Sequence, residues 1–443
     1  MSVSDMATAA EPAPRAPDGL WFGKDLSQPE PIPEEGIARA VELMRTGRLH
    51  RYGETGGGHP EPSLLEQEYA ASVGSRFCVA LNSCGGAMFV ALKALGVQAG
   101  DTVLSSSFTL APVPGAIAHA GAQALLVETT AEYTTDLADL ERKAIASGAK
   151  VFLISHMRGH ISDRDAVTAL CDRLGVALVE DCAHTMGARW RGRHTGTWGR
   201  VGCYSAQTYK HINSGEGGLL VTDDEDIAAR AILMSGSYML YEQHLARPDA
   251  AVFERWKYLM PNFSLRMSNL AAALLRPQIG LLAQRAQVWN LLYAQLAGVL
   301  GSVPQLRLPL RSPDEEYVAS SIQFNLDLNR AGIECFLHEC GLRGLHIKWF
   351  GRSEPIGFTS NFEHWHYLQQ APVLGQSQAL LAGLCDMRIP LSLSTGDTLL
   401  IGRIVAAAMA VAMDMGNDAA GVSDVTSSRS GQLLDAFGAP RLV

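Results

Sequence analysis

Seven short runs of apolar and β-branched residues constrain this chain more than any other feature. They occupy residues 77–83 (FCVALNS), 102–107 (TVLSSS), 123–129 (QALLVET), 151–156 (VFLISH), 177–182 (ALVEDC), 201–206 (VGCYSA) and 218–223 (GLLVTD). Each has strand length and reads as a strand buried on both faces. Helical patterns such as EPSLLEQEYAASV, AMFVALKALG, LADLERKAIAS and RDAVTALCDRLG lie around and between them. That alternation predicts an α/β fold: a mostly parallel seven-stranded sheet in a large α/β/α domain, residues 21–285. A long helical region follows, SNLAAALLRPQIGLLAQRAQVWNLLYAQLAGVL, with a kink predicted at Pro277. It leads into a smaller C-terminal α+β domain, residues 286–413. Residues 1–20 are rich in Ala and Pro without periodicity and read as a disordered tail. Residues 414–443 have the same character, and their closing LLDAFGAPRLV is a candidate docking segment.

The 443 residues are 47% hydrophobic, enough for a large core. No run approaches the roughly eighteen apolar residues of a membrane span, and the first residues lack a secretory-leader pattern. The net charge is −9 and the Lys and Arg residues are scattered, which argues against a nucleic-acid partner. Most of the eight cysteines sit in apolar runs, where a thiol behaves as a small hydrophobe. No cysteine spacing suggests a metal site. The expectation is a cytoplasmic enzyme with reduced thiols and no metal.

In a parallel α/β sheet, ligands collect at the C-terminal ends of the strands. Three such ends carry unusual chemistry here. In ALVEDCAHTMGA, Asp181 closes a strand and His184 follows one turn later. A carboxylate there can keep a pyridinium nitrogen protonated, or simply cap a helix. In VGCYSAQTYKHINSGEGG, a strand ends at Ser205 and a turn carries Lys210. A lysine that forms a Schiff base needs a dry, cationic site that lowers its pKa, and a turn between two buried strands meets that need. In LNSCGGAMFVALKALG, a strand passes into a helix at Cys84, Gly85 and Gly86. Free amides and the dipole at a helix start bind phosphate, although tight turns want glycine anyway.

Taken in order, these segments resemble the DegT/StrS-type aminotransferases, which act mainly on keto-sugars and ketocyclitols. RYGETGGG, LLEQEYAASVG and NFSLRMSNLAAALLRPQ join the three strand ends in the match, which runs from about Arg51 to about Leu282. The resemblance implies a fold-type I pyridoxal-5'-phosphate (PLP) enzyme. Lys210 looks like the lysine that holds the cofactor as an internal aldimine and then shuttles a proton. Asp181 looks like the pyridinium partner, and His184 stands near the ring's phenolic oxygen. Ser205 is similar to the family's phosphate-binding serine, and Cys84, Gly85 and Gly86 occupy its phosphate-binding turn. The family works as a homodimer with shared active sites, and Asn262 is the residue that would reach the neighbour's phosphate, with Ser264 competing for the role.

Departures from the family pattern are specific. Gly85 stands where a Thr is usual. Leu110 stands where an aromatic stacks on the cofactor, with Phe108 close by. His156-Met157-Arg158-Gly159 replaces HLYG, which puts a cation in place of an aromatic. Arg158 and Arg266 are candidates for reading a substrate anion, and each has a structural alternative. The aromatics and histidines of 346–367 are left unassigned. His211 matters because dehydratase relatives replace the lysine with histidine, whereas Lys210 is present here. The resemblance therefore implies transamination from an amino donor, Glu or Gln, to a keto-sugar, ketocyclitol or related keto compound. A PLP-dependent lyase, dehydratase or cyclase is the alternative. A catalytically silent scaffold is a third reading, disfavoured by the intact Asp181–Ser205–Lys210 set.

Overall fold

The computed structural model describes residues 16–53, 58–368 and 373–422, the side chains of 415–422 excepted. Seven strands build the main sheet: β1 (Phe77–Leu81), β2 (Thr102–Ser106), β3 (Gln123–Val127), β4 (Val151–Ser155), β5 (Ala177–Asp181), β8 (Val201–Ser205) and β9 (Gly218–Thr222). All seven predicted strands are present, each ending one or two residues earlier than its apolar run. Their order is β1-β9-β8-β5-β4-β2-β3. Only β9 is antiparallel, to both β1 and β8. The other pairs, such as β4 with β5, run parallel. Leu81, Asp181 and Ser205 thus finish at one edge, and Gly218 begins there. Gly218 could carry no side chain, because a Cβ would sit 2.3 Å from the Ser83 carbonyl. Its bareness lets β9 enter directly against the turn that starts the helix Cys84–Ala94.

A short hairpin, β6 (Arg189–Trp190) and β7 (Arg193–His194), pairs with β11 (Glu315–Glu316) in a three-stranded patch. The C-terminal region forms a four-stranded sheet of β10 (Leu306–Arg307), β12 (Ser321–Leu326), β14 (Leu384–Arg388) and β13 (Lys348–Trp349), in that order. Against it packs the helix Thr395–Val422, whose first turns are apolar enough to cross a membrane by composition. Its Ile401, Ile404, Val405, Ala408 and Ala412 are instead fully buried against Trp289, Phe324 and Phe336. It is a core helix, held by the roughly 25 cal/mol per Å² that apolar burial contributes.

The long helical region is two helices, Asn269–Ile279 and Leu282–Leu300. Pro277 lies in the last turn of the first, where the chain stops short of continuing. Residues 16–20 were expected in the tail. There the Ala16 amide donates to the Leu342 carbonyl at 3.3 Å, and Phe22 just beyond is 1% exposed among C-terminal core residues. At the other end the final helix runs on to Val422. Residues 1–15 and 423–443, with the LLDAFGAPRLV segment, lie outside the described residues, as do 54–57 of RYGETGGG.

Candidate active site

A cavity of about 760 Å³ opens at the strand-end edge and is lined by Cys84, Gly85, Leu110, Asp181, Ser205 and Lys210, among others. The three strand ends singled out in the sequence therefore meet in one place. Asp181 is 5% exposed. Its Oδ2 accepts from Ser155 Oγ at 2.7 Å and its Oδ1 from the Ala183 amide at 3.0 Å, which fixes the carboxylate toward the cavity. Lys210 sits in the turn after β8, and its Nζ lies 2.8 Å from His184 Nε2. Burial, reinforced by the nearby Arg158 guanidinium, pushes Lys210 down to about 8. Burial and then the Lys210 charge hold His184 well below its ordinary value, so its imidazole is the acceptor and Lys210 the donor.

The helix Cys84–Ala94 starts on this wall. Ser83 caps it by accepting from the Gly86 amide at 2.9 Å, so the Cys84 and Gly85 amides head the helix with its positive dipole end. Gly86 does not line the cavity. At Gly85 the nearest atom to an added Cβ is Ser83 Oγ, 3.9 Å away, so the missing threonine leaves open room. Burial pushes the Cys84 thiol well up, which keeps it protonated.

Leu110 lines the cavity, whereas Phe108 is buried with Tyr133 and Phe350. Arg158 adopts a left-handed φ of 56° and pairs with Asp386 of β14 at 2.7 Å, a buried acid from the C-terminal sheet. Asn262, Ser264 and Arg266 do not line the cavity of their own chain. Asn262 Oδ1 accepts from the Ser264 amide at 2.9 Å in an exposed turn. Arg266 donates to the Gly236 carbonyl at 3.0 Å and stacks over Tyr238. From the 346–367 stretch Phe358 lines the cavity, while Trp349, Phe350 and Trp365 are core. Sequence reasoning missed Arg388 and Tyr209, which also line it. Their only signal would have been two charged residues, Asp386 and Arg388, alternating at the end of the buried strand LCDMR, and an aromatic beside the lysine.

A model of the DegT/DnrJ/EryC1/StrS aminotransferase family matches residues 32–346. The chain belongs to that family. The matched stretch extends beyond 51–282 on both sides. The family is dependent on pyridoxal 5'-phosphate, and the fold is fold-type I. A Micromonospora echinospora protein provisionally named L-glutamine:3-amino-2,3-dideoxy-scyllo-inosose aminotransferase is 30% identical over 269 residues. That match covers 58% of this chain and 60% of that protein, less than two thirds of the relative's length. The aminotransferase TlmJ from Streptoalloteichus hindustanus superposes with a TM-score of 0.74 at 21% identity, over 87% of this chain and 99% of its own. DesV of S. venezuelae, solved with a ketimine intermediate, gives 0.71 at 25% identity over 84% and 94%.

Proposed function

We propose that this chain is a PLP-dependent aminotransferase that moves an amino group from glutamate or glutamine to a keto-sugar, ketocyclitol or related keto compound. The observation that carries the reading is the Lys210 Nζ, half-buried in the cavity, bonded to a neutral imidazole and facing Asp181 across the strand ends. The residues fit the cofactor. Asp181 is oriented by Ser155 and Ala183 with its carboxylate toward the cavity, and would keep a proton on the pyridine nitrogen. Ser205 Oγ and the Cys84 and Gly85 amides would take the phosphate. The bound group would supply an electron sink for the charge left at the substrate Cα.

Lys210, with a pKa of about 8, can take a proton at Nζ from that carbon and return it to the next atom near neutral pH. His184 accepts from Nζ and holds it in register. Leu110 and Met88 wall the cavity with hydrocarbon and exclude water from the proton path. Asn262, exposed and away from its own cavity, is available to a partner subunit's site in a homodimer. Seven of the eight cysteines are buried free thiols, in keeping with a cytoplasmic setting.

The open room at Gly85 and the Leu110 wall favour the lyase, dehydratase or cyclase alternative, and stoichiometric release of 2-oxo acid from the donor would count against it. Lys210→Ala tests the main reading. It should abolish turnover while still binding pyridoxamine phosphate; full activity in this variant contradicts the proposal.

A further inference from the structure

The C-terminal sheet brings a second set of charges to the cavity. Arg388, the last residue of β14, lines the same space as Lys210. Its guanidinium stacks 4.0 Å over the Tyr209 ring, and among the described residues it makes no hydrogen bond or ion pair. The acid on the same face of the strand, Asp386, is already spent. It accepts from Arg158 at 2.7 Å and from Gln323 Nε2 at 2.7 Å. Lys348, which pairs with Asp386 across β13 and β14, gives its Nζ to the Phe358 carbonyl at 3.1 Å and sits over the Phe358 ring. Arg158, Lys348 and Arg388 thus gather around the buried Asp386, with the exposed Asp25 further out.

The surplus is felt locally. Burial, with Arg158 adding to it, pushes both Lys210 and Lys348 down to about 8. Arg388 feels Asp386 and the exposed Asp25 only through space, with no direct ion pair to either, and a partly desolvated guanidinium gains most from a ligand anion that bonds it directly. The helix start and Ser205, on other elements, remain for the cofactor phosphate.

We propose that Arg388 recognises a carboxylate on the substrate and holds it beside Lys210 Nζ. Stacking on Tyr209 fixes the guanidinium plane and leaves its N–H edge free, a geometry that matches a planar carboxylate through two parallel bonds. A phosphate dianion would call on more donors than this wall offers, since Arg158 and Lys348 are committed to Asp386 and Phe358. The proposal rests on the aminotransferase reading for the place of the reacting atoms. The carboxylate is either that of the amino donor, bonded to the reacting carbon, or one carried by the keto acceptor.

The test titrates the holoenzyme calorimetrically with glutarate, a dicarboxylate that has no amine to transfer. Arg388→Gln should weaken glutarate binding by about tenfold or more, with Arg388→Lys between the two and inorganic phosphate a poor competitor. In parallel, loss of the cofactor's visible band is followed against L-glutamine concentration. A higher half-saturation in Arg388→Gln assigns the carboxylate to the donor; an unchanged one, with glutarate affinity lost, assigns it to the acceptor. Glutarate that fails to bind the wild type, binds Arg388→Gln equally well, or is displaced readily by phosphate overturns the proposal. A band that L-glutamine leaves unchanged counts against the aminotransferase reading alone, because the glutarate titration reads the subsite independently.

Discussion

Lys210 Nζ and His184 Nε2 lie 2.8 Å apart, a cationic amine against an imidazole that burial keeps neutral. The pair defines which atom carries the proton: Lys210 donates, and loses its charge first as pH rises. With Lys210 at about 8 rather than the ordinary 10.5, the apoprotein should capture pyridoxal phosphate at a rate that climbs through pH 8. The amine is mostly protonated and unreactive below that point and mostly free above it. Stopped-flow absorbance across pH 6 to 10 checks this, and a midpoint near 10 contradicts it.

Asp181→Asn keeps the shape of the side chain and its contact with Ser155 but removes the charge facing the cavity. Turnover should fall by about 10²–10³-fold, the usual cost of deleting one oriented electrostatic partner, while the cofactor remains bound. Steady-state kinetics with the cofactor content measured on the same sample separates the two effects. Near-normal turnover would show that Asp181 serves only as a structural acceptor for Ser155 and Ala183.

Gly85→Thr enters open space at the head of the helix Cys84–Ala94. The new hydroxyl would reach the phosphate, and one bond to a charged group contributes about 1.5–3 kcal/mol. Cofactor affinity, measured by equilibrium dialysis, should rise by about 10–100-fold. Unchanged or weaker binding places the phosphate elsewhere.

The Arg51–Glu66 pair is fully buried, with 2.7 Å between Nη2 and Oε2, and Glu66 also accepts the Ala80 amide of β1. Glu66→Gln leaves the Arg51 charge without its counter-ion, which should cost about 3–5 kcal/mol of stability. Urea denaturation reads the loss; a change under 1 kcal/mol would mean that His244, whose Nδ1 lies 2.6 Å from Arg51 Nη2, and the Tyr52 ring beneath the guanidinium suffice to hold it.

The wall proposed to hold the cofactor was legible because its chemistry is local. Asp181, Ser205 and Lys210 each sit at or just past a buried strand, so strand period and polar residue appear within one short window. The opposite wall was not, because Arg388 and Phe358 reach the cavity only through the folding of the C-terminal region, far along the chain from Lys210. Leu110 against Phe108 could not be settled from alternation alone, since both follow the same strand and only packing with Tyr133 and Phe350 withdraws the phenylalanine. Residues 16–20 look like tail by composition, yet the Ala16 amide bonds to the Leu342 carbonyl, and Phe22 and Leu26 just beyond dock on the C-terminal core; the WFG aromatic pair next to the Ala- and Pro-rich stretch was the signal. Arg158 read as either a substrate ligand or a partner for a surface acid, and the structure gives it a buried one.

The aminotransferase reading stands most directly on the visible absorption spectrum of the purified, PLP-loaded protein before and after addition of L-glutamate or L-glutamine. The reading expects a band from cofactor held on Lys210 that gives way, on adding the donor, to the shorter-wavelength band of the aminated cofactor, with one 2-oxo acid released per site. A band that neither donor bleaches, or no band at all after incubation with PLP, would contradict it.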